Sequence, residues 1–208
     1  GLRVIVLEQG EAAALADPAD DGREIALTHA SRAALERLGM WQAFAPEEIG
    51  ELRRALVIDG DDREGLQFDP PAGEAGPLGW MLPNHAIRRA AFACASGTEG
   101  VAIVGGARVA ALAPSAQAIE VRLEDGRQFR ARLAIAADNR FSGCRRAMGL
   151  RADHHDFGKV MVVVKVVHEQ PHQATAWEWF RYGQTLALLP LHDPQTSSAV
   201  LTLVPAEA

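Results

Sequence analysis

The chain has 208 residues, 48% of them apolar, and a net charge of −6. That is enough for one large domain or two small ones with a real core, and it excludes a disordered chain. The acidic balance leaves no basic field for a phosphate backbone, so a nucleic-acid partner is not expected.

Two cysteines, Cys94 and Cys144, do not make a disulfide framework, and a reduced cytosolic state is the default. No apolar run reaches the roughly 18 residues that span a bilayer, and no signal-peptide pattern precedes the first strand. The expected location is the cytoplasm. Membrane contact would have to be peripheral, and such contact with the inner membrane or with a multi-enzyme complex stays open. The Arg88-Arg89 and Arg145-Arg146 pairs are short and read as solvated helix faces.

Gly1-Leu2-Arg3-Val4-Ile5-Val6-Leu7-Glu8 reads at once as a buried strand ending in an acid. A loop rich in Ala, Asp and Gly follows to about residue 24. Ala30, Ala34, Leu38 and Trp41 form one helical stripe over 29–44, with Gly39 as its weak spot or its end. Leu56-Val57-Ile58 and Leu66-Gln67-Phe68 flank the turn Asp59-Gly60-Asp61-Asp62, which predicts a hairpin within 52–69. Pro70 to Pro77 is loop, and Trp80-Met81-Leu82 is a short extended piece. Asn84 then opens a helix with Ile87, Ala90, Ala91 and Cys94 on one face.

Three or four strands are expected over 101–137, with Asp125-Gly126 as a tight hairpin turn. Leu133-Ala134-Ile135-Ala136-Ala137 is apolar on both sides, as a buried parallel strand should be. Past Gly149 come four strand-like runs: Val160 to Val167, Trp177 to Phe180, Leu186 to Pro190, and Ser197 to Val204. Short connections make that sheet mostly antiparallel.

The expected class is α/β (α+β): a partial Rossmann-like portion over 1–150, with a hairpin insertion at about 52–83, then a mostly antiparallel sheet over 151–208. Both ends are strand-like without a closing element, so the chain reads as a fragment truncated at both ends.

Four positions invite a functional reading, each with a plainer alternative. Glu8 ends a strand as the ribose-binding acid of a dinucleotide unit does, although a solvated strand end looks the same. The glycine-rich turn of such a unit would lie about 20 residues upstream, before residue 1. Asp138 follows a predicted strand and either caps the next helix or lies near cofactor phosphates. Arg23 either reaches a pyrophosphate bidentately or is a surface loop residue. Asn84 is equally well an N-cap.

His168-Glu169-Gln170-Pro171-His172 matches the zinc pattern H-E-x-x-H only as text. Pro171 forbids the helix that would put both histidines on one face. The His154-His155-Asp156 cluster is likewise a loop, and no metal is expected. No catalytic side chain can be named, because no Ser-His-Asp or Cys-His constellation is legible. Pieces of a dinucleotide fold with few side-chain catalysts point to a cofactor that does the chemistry.

These pieces, in this order, resemble the class A flavoprotein monooxygenases, and most closely the hydroxylases of ubiquinone biosynthesis. The resemblance rests on Val4 to Glu8, Asp21-Gly22-Arg23-Glu24-Ile25-Ala26-Leu27-Thr28-His29-Ala30-Ser31, and Leu35 to Trp41. It continues in Leu78-Gly79-Trp80 with Asn84, Ala136-Ala137-Asp138-Asn139-Arg140-Phe141-Ser142 with Arg145-Arg146, and His168 to His172 leading to Leu186 to Leu191. It implies FAD as cofactor, NADH or NADPH as reductant, and hydroxylation of an aromatic, polyprenylated phenol or quinol through a flavin C4a-hydroperoxide. By resemblance Glu8 holds the adenosine ribose, Arg23 the pyrophosphate region, and Asn84 or Arg88 the ribityl side. Asp138 is the acid of the family's second motif.

The first glycine motif would fall before residue 1 and the last flavin motif beyond residue 208, and Asn139 replaces the usual Gly or Ser. The isolated fragment is therefore expected to be flavin-free and inactive. Two alternatives remain at this point: a hydroxylase of the same fold acting on a small soluble aromatic, and a non-enzymatic β-rich binding module.

Overall fold

The structure, a computed structural model, describes residues 1–62, 64–70, 76–181 and 183–204. Most of the loop expected from Pro70 to Pro77 lies outside the described residues.

In chain order the elements begin β1 (Val4–Leu7), α1 (Ala12–Ala16), β2 (Glu24–Leu27), α2 (His29–Arg37), β3 (Gly50–Leu52), β4 (Arg54–Asp59) and β5 (Leu66–Phe68). They continue β6 (Gly79–Pro83), α3 (Asn84–Ser96), β7 (Val101–Val104), β8 (Val109–Pro114), β9 (Ile119–Leu123), β10 (Gln128–Ala131) and α4 (Gly143–Ala147). Four strands close the chain: β11 (Val160–Val167), β12 (Thr175–Arg181), β13 (Gln184–Pro190) and β14 (Thr196–Leu203). They form two compact units, Gly1–Asp17 with Ala95–His155, and Pro18–Cys94 with Asp156–Ala208. The units interleave along the chain, in contrast to a linear division at 150.

In the first unit β1 and β7 run parallel, Val4 opposite Val101 and Leu7 opposite Val104. Beside them β8, β9 and β10 make an antiparallel meander. Its β9–β10 turn carries the expected Asp-Gly signal, with Gly126 at φ +89°. Ala107, Val121 and Leu123 form a small core, against which Leu7, Val104 and Phe129 pack.

Two expectations fail in this unit. β1 forms, but it is not buried: Ile5 is 52% exposed. The apolar run 133–137 is not a strand, and Leu133 and Ile135 are exposed. A parallel strand exists only as one rail of a ladder, since its N–H and C=O groups need a neighbour. Among the described residues no strand edge is paired with this run.

The second unit holds a three-stranded antiparallel sheet, β2-β6-β3, and a six-stranded sheet, β11-β14-β13-β12-β4-β5. All neighbours in the large sheet are antiparallel except β12 and β4. The 52–69 hairpin forms as β4–β5, and β4 is hydrogen-bonded to β12 in parallel, so the hairpin is part of the large sheet.

The core of this unit is Met40, Phe44, Leu82, Ala86 and Ala90, with Leu35, Ile49, Ile87 and Cys94 packed on it. α3 turns three of the four expected positions inward, Ile87, Ala90 and Cys94, while Ala91 is exposed and Ala86 takes a place in the core. α2 starts at a Thr28 cap, whose hydroxyl accepts from the Ser31 N–H, and it ends before Gly39 at φ +72°. No helix among the described residues is long and apolar enough to cross a membrane.

Candidate functional site

Parallel strands present their ligands at their carboxyl ends, and Glu8 stands one residue past the end of β1. Its backbone is held on both sides: its N–H donates to Val104 (3.0 Å) and its carbonyl accepts from Ala107 (2.8 Å). Its carboxylate accepts from the Gly10 N–H at 2.9 Å, a second-residue turn that leaves further acceptor capacity on a half-buried acid. Gly105 explains why the chain can come so close here. A Cβ at that position would lie 2.8 Å from the Ala12 nitrogen.

Asp138 is placed differently. Its carboxylate accepts from the Ser142 hydroxyl and from the Cys144 N–H (3.1 Å), at the start of α4. The Ser142 hydroxyl, the nearest donor, holds the Asp138 carboxyl below the usual carboxylate range, helped by the Cys144 N–H. The cap of α4 is Ser142, whose hydroxyl accepts from the Arg145 N–H at 2.9 Å, and Asp138 adds a second acceptor for the first turn through the Cys144 N–H. Asn139 folds onto its own loop, accepting from the Phe141 N–H at 2.8 Å.

The second unit gathers the other three. The β2–β6 ladder ends with Glu24 opposite Pro83, and the Asn84 N–H donates to the Arg23 carbonyl at 2.9 Å. Two successive aspartate turns precede it: Asp20 takes the Gly22 N–H (2.9 Å) and Asp21 the Arg23 N–H (3.1 Å). Gly22 sits at φ +71°, where a side chain would be strained. The result brings Asp21, Arg23 and Asn84 together although Asp21 and Asn84 are 63 positions apart.

One oxygen, Asp21 Oδ2, accepts from Arg23 Nε (3.0 Å), from an Arg23 Nη, and from Asn84 Nδ2 (2.8 Å). The Arg23 hydrogen bond, then the Asn84 amide, hold the Asp21 carboxyl well below the usual range, and the pairing raises Arg23. The amide of Asn84 is a donor here rather than a helix cap. Arg88 follows on the same face of α3, at i+4 from Asn84, and it is exposed. Asp21 is the residue the sequence reading missed. Nothing local in the sequence marks a contact across 63 positions.

Beside this triad lies a charge network. Lys165 on β11 reaches Glu24 (3.0 Å) and Asp20 (3.2 Å). The Glu24 side chain is 2% exposed, and burial pushes its carboxyl up against the pull of Lys165. His85 Nδ1 approaches Asp20 at 3.3 Å without hydrogen-bond geometry.

The 168–172 segment is not helical. His168 Nε2 pairs with the Ser197 hydroxyl (3.0 Å), while His172 accepts from the Ala174 N–H (2.9 Å) and pins the loop to the Leu191 and Asp193 carbonyls. A cavity of about 570 Å³ opens at the far end of the large sheet, lined by Asp59, Gly60, Lys159, Phe180, Arg181 and Thr185. Arg181 there is paired with Asp61 at 2.7 Å.

No family model matches the chain. It is 41% identical over 96% of its length to a ubiquinone hydroxylase, UbiM, of Neisseria meningitidis. It is 29% identical over 95% to the ubiquinone hydroxylase UbiL of Rhodospirillum rubrum, and 26% identical over 93% to the 3-demethoxyubiquinol 3-hydroxylase of Escherichia coli. It spans 44%, 46% and 49% of those proteins, less than half of each.

Among solved structures, PqsL of Pseudomonas aeruginosa, described as a probable FAD-dependent monooxygenase, superposes with a TM-score of 0.80 at 20% identity. The match covers 99% of this chain and 55% of that one. Klebsiella pneumoniae HpxO, solved with FAD and uric acid, superposes at 0.68 with 21% identity, over 98% of this chain and 56% of that one. These two likenesses show a shared fold.

Proposed function

We propose that this chain belongs to the ubiquinone-biosynthesis hydroxylases among the class A flavin monooxygenases, and that the whole protein hydroxylates the aromatic ring of a polyprenylated phenol or quinol. FAD is the cofactor and NADH or NADPH the reductant. The observation that carries the reading is 41% identity to a ubiquinone hydroxylase across 96% of the chain.

Each unit carries polar groups of the kind that a flavin dinucleotide takes. Glu8 is an acceptor at a parallel strand end, suited to ribose hydroxyls, and Gly105 allows close backbone approach there. Arg23, with a guanidinium 60% exposed, is the natural partner of the pyrophosphate. The Asn84 amide and the Arg88 guanidinium serve the ribityl side. Asp138 acts by fixing the start of α4. Bound FAD would supply the electron transfer that lets O2 deliver one oxygen atom to the ring.

The six-stranded sheet supports a lipophilic substrate over a small aromatic acid. Val164, Ala199, Leu188, Trp177 and Leu56 lie in register across five strands, and Val162, Leu201, Leu186, Trp179 and Ile58 form the next row. Residues in register share a face, so these two rows make an apolar band on it, bordered by a row that carries Ser197, Thr175 and Arg54. A small acid would instead call for an uncommitted guanidinium clamp, and Arg181 is already paired with Asp61.

The test is purification of the full-length protein. It should carry one FAD and oxidise NADH or NADPH faster with a polyprenylated phenol or quinol than with a small aromatic acid. Glu8→Ala should raise the FAD Kd about tenfold, the worth of one hydrogen bond to a charged group. A full-length protein that takes up no flavin overturns the reading.

A further inference from the structure

We infer that Asp21 is a positioning residue for the cofactor site: its Oδ2 draws the side chains of Arg23 and Asn84 into one fixed donor set. The inference rests on the flavin reading of Arg23 and Asn84 and extends it to a residue that does not itself touch the cofactor.

The geometry is specific. A guanidinium carries five N–H donors in a rigid fork. Asp21 takes two of them, from Nε and one Nη, and leaves the remaining three pointing away from the carboxylate. It takes one hydrogen of the Asn84 amide and leaves the second hydrogen and the amide oxygen. Both side chains are therefore held while each keeps donors to offer.

Without Asp21 they would have to be ordered at the moment of binding. An arginine carries several rotatable bonds, and fixing them costs affinity. The charge balance is consistent. An aspartate next to the site would repel a phosphate if its charge were bare, but its low proton affinity reflects cationic and amide donors gathered around it.

Asp21 is itself fixed by its neighbours. Its Oδ1 closes a turn onto the Arg23 N–H at 3.1 Å. The adjacent Asp20 is tied to Lys165 of the large sheet at 3.2 Å, and Gly22 supplies the left-handed turn between Asp20 and Arg23. The two acids thus divide the work: Asp20 anchors the loop to the sheet, and Asp21 gathers the donors.

The test uses the full-length protein and reads FAD binding by flavin fluorescence, with thermal unfolding followed in parallel. Asp21→Ala should weaken FAD binding about tenfold, with a much smaller effect in a background that already carries Arg23→Ala and Asn84→Ala. Asp21→Glu, which keeps the carboxylate, should recover part of the loss. A residue that only stabilises the loop would give losses that add across the variants.

Wild-type protein that binds FAD, with an Asp21→Ala variant that binds it equally well or more tightly, overturns the inference and leaves the flavin reading standing. So do additive losses. Wild-type protein that binds no flavin overturns both.

Discussion

At the scale of single residues, Gly79 shows how backbone approach selects a side chain. It begins β6 opposite Leu52 of β3, and a Cβ there would lie 2.5 Å from the Leu27 carbonyl oxygen of β2. That oxygen is backbone and cannot swing aside, so β2 and β6 must part. Gly79→Ala should destabilise the fold by about 2–3 kcal/mol, read as a lower urea midpoint with unchanged slope. Thr28 makes a smaller contribution of a different kind. Its hydroxyl takes one of the four orphan N–H groups of α2. Thr28→Ala should lower stability by about 1 kcal/mol in the same measurement, and Thr28→Ser by much less.

At the scale of elements, the informative contact joins β11 to β2. Lys165 is the partner of a Glu24 side chain that is 2% exposed. Lys165 is itself 37% exposed, so water screens the pair, but its removal still leaves a buried carboxylate without its cation. Lys165→Met should therefore cost about 1–2 kcal/mol near neutral pH. The sign of the pH dependence follows from Glu24, whose carboxyl burial already raises. A folded-state value above the unfolded one means that the folded state holds the proton more firmly. The loss in Lys165→Met should shrink as pH falls toward the unfolded carboxyl value of about 4.3, where Glu24 takes up a proton. It should grow as pH rises from there through the folded value. Urea titrations of both proteins at pH 4.5 and pH 7.5 check this, and an equal loss at the two values would refute it.

At the scale of the whole molecule, both units leave apolar side chains uncovered. The second unit has a core reaching full burial at Leu82 and Ala86, yet Leu38, Phe157, Met161 and Val167 are exposed at 60%, 81%, 69% and 81%. The first leaves Leu2, Ile5, Leu133 and Ile135 exposed, at 76%, 52%, 74% and 82%. Apolar surface of this extent marks a contact face. The 208-residue chain alone should bind the dye ANS strongly, and a chain of the length of its relatives should bind it far less. Dye fluorescence normalised to protein concentration makes the comparison.

The sequence by itself determined the local pieces. The hairpin about Asp59-Gly60, the Asp125-Gly126 turn, the end of α2 at Gly39 and most of the inner face of α3 follow from turn chemistry and period, which act within a few residues. The non-helical path of 168–172 followed from one proline. Tertiary structure decided the rest. β4 joins β12 in parallel across 121 positions, Arg54 opposite Thr175, a pairing no local signal encodes. The run 133–137 has strand composition without a strand, because composition supplies side chains and not a neighbouring edge. Asp138, legible as either cap or cofactor acid, is held by the Ser142 hydroxyl and the Cys144 N–H, while Ser142 itself supplies the cap. Asp21 stood in the sequence as an ordinary loop acid. The β2–β6 ladder makes it the point where Arg23 and Asn84 meet, because hydrogen bonds depend on distance in space and not on separation along the chain.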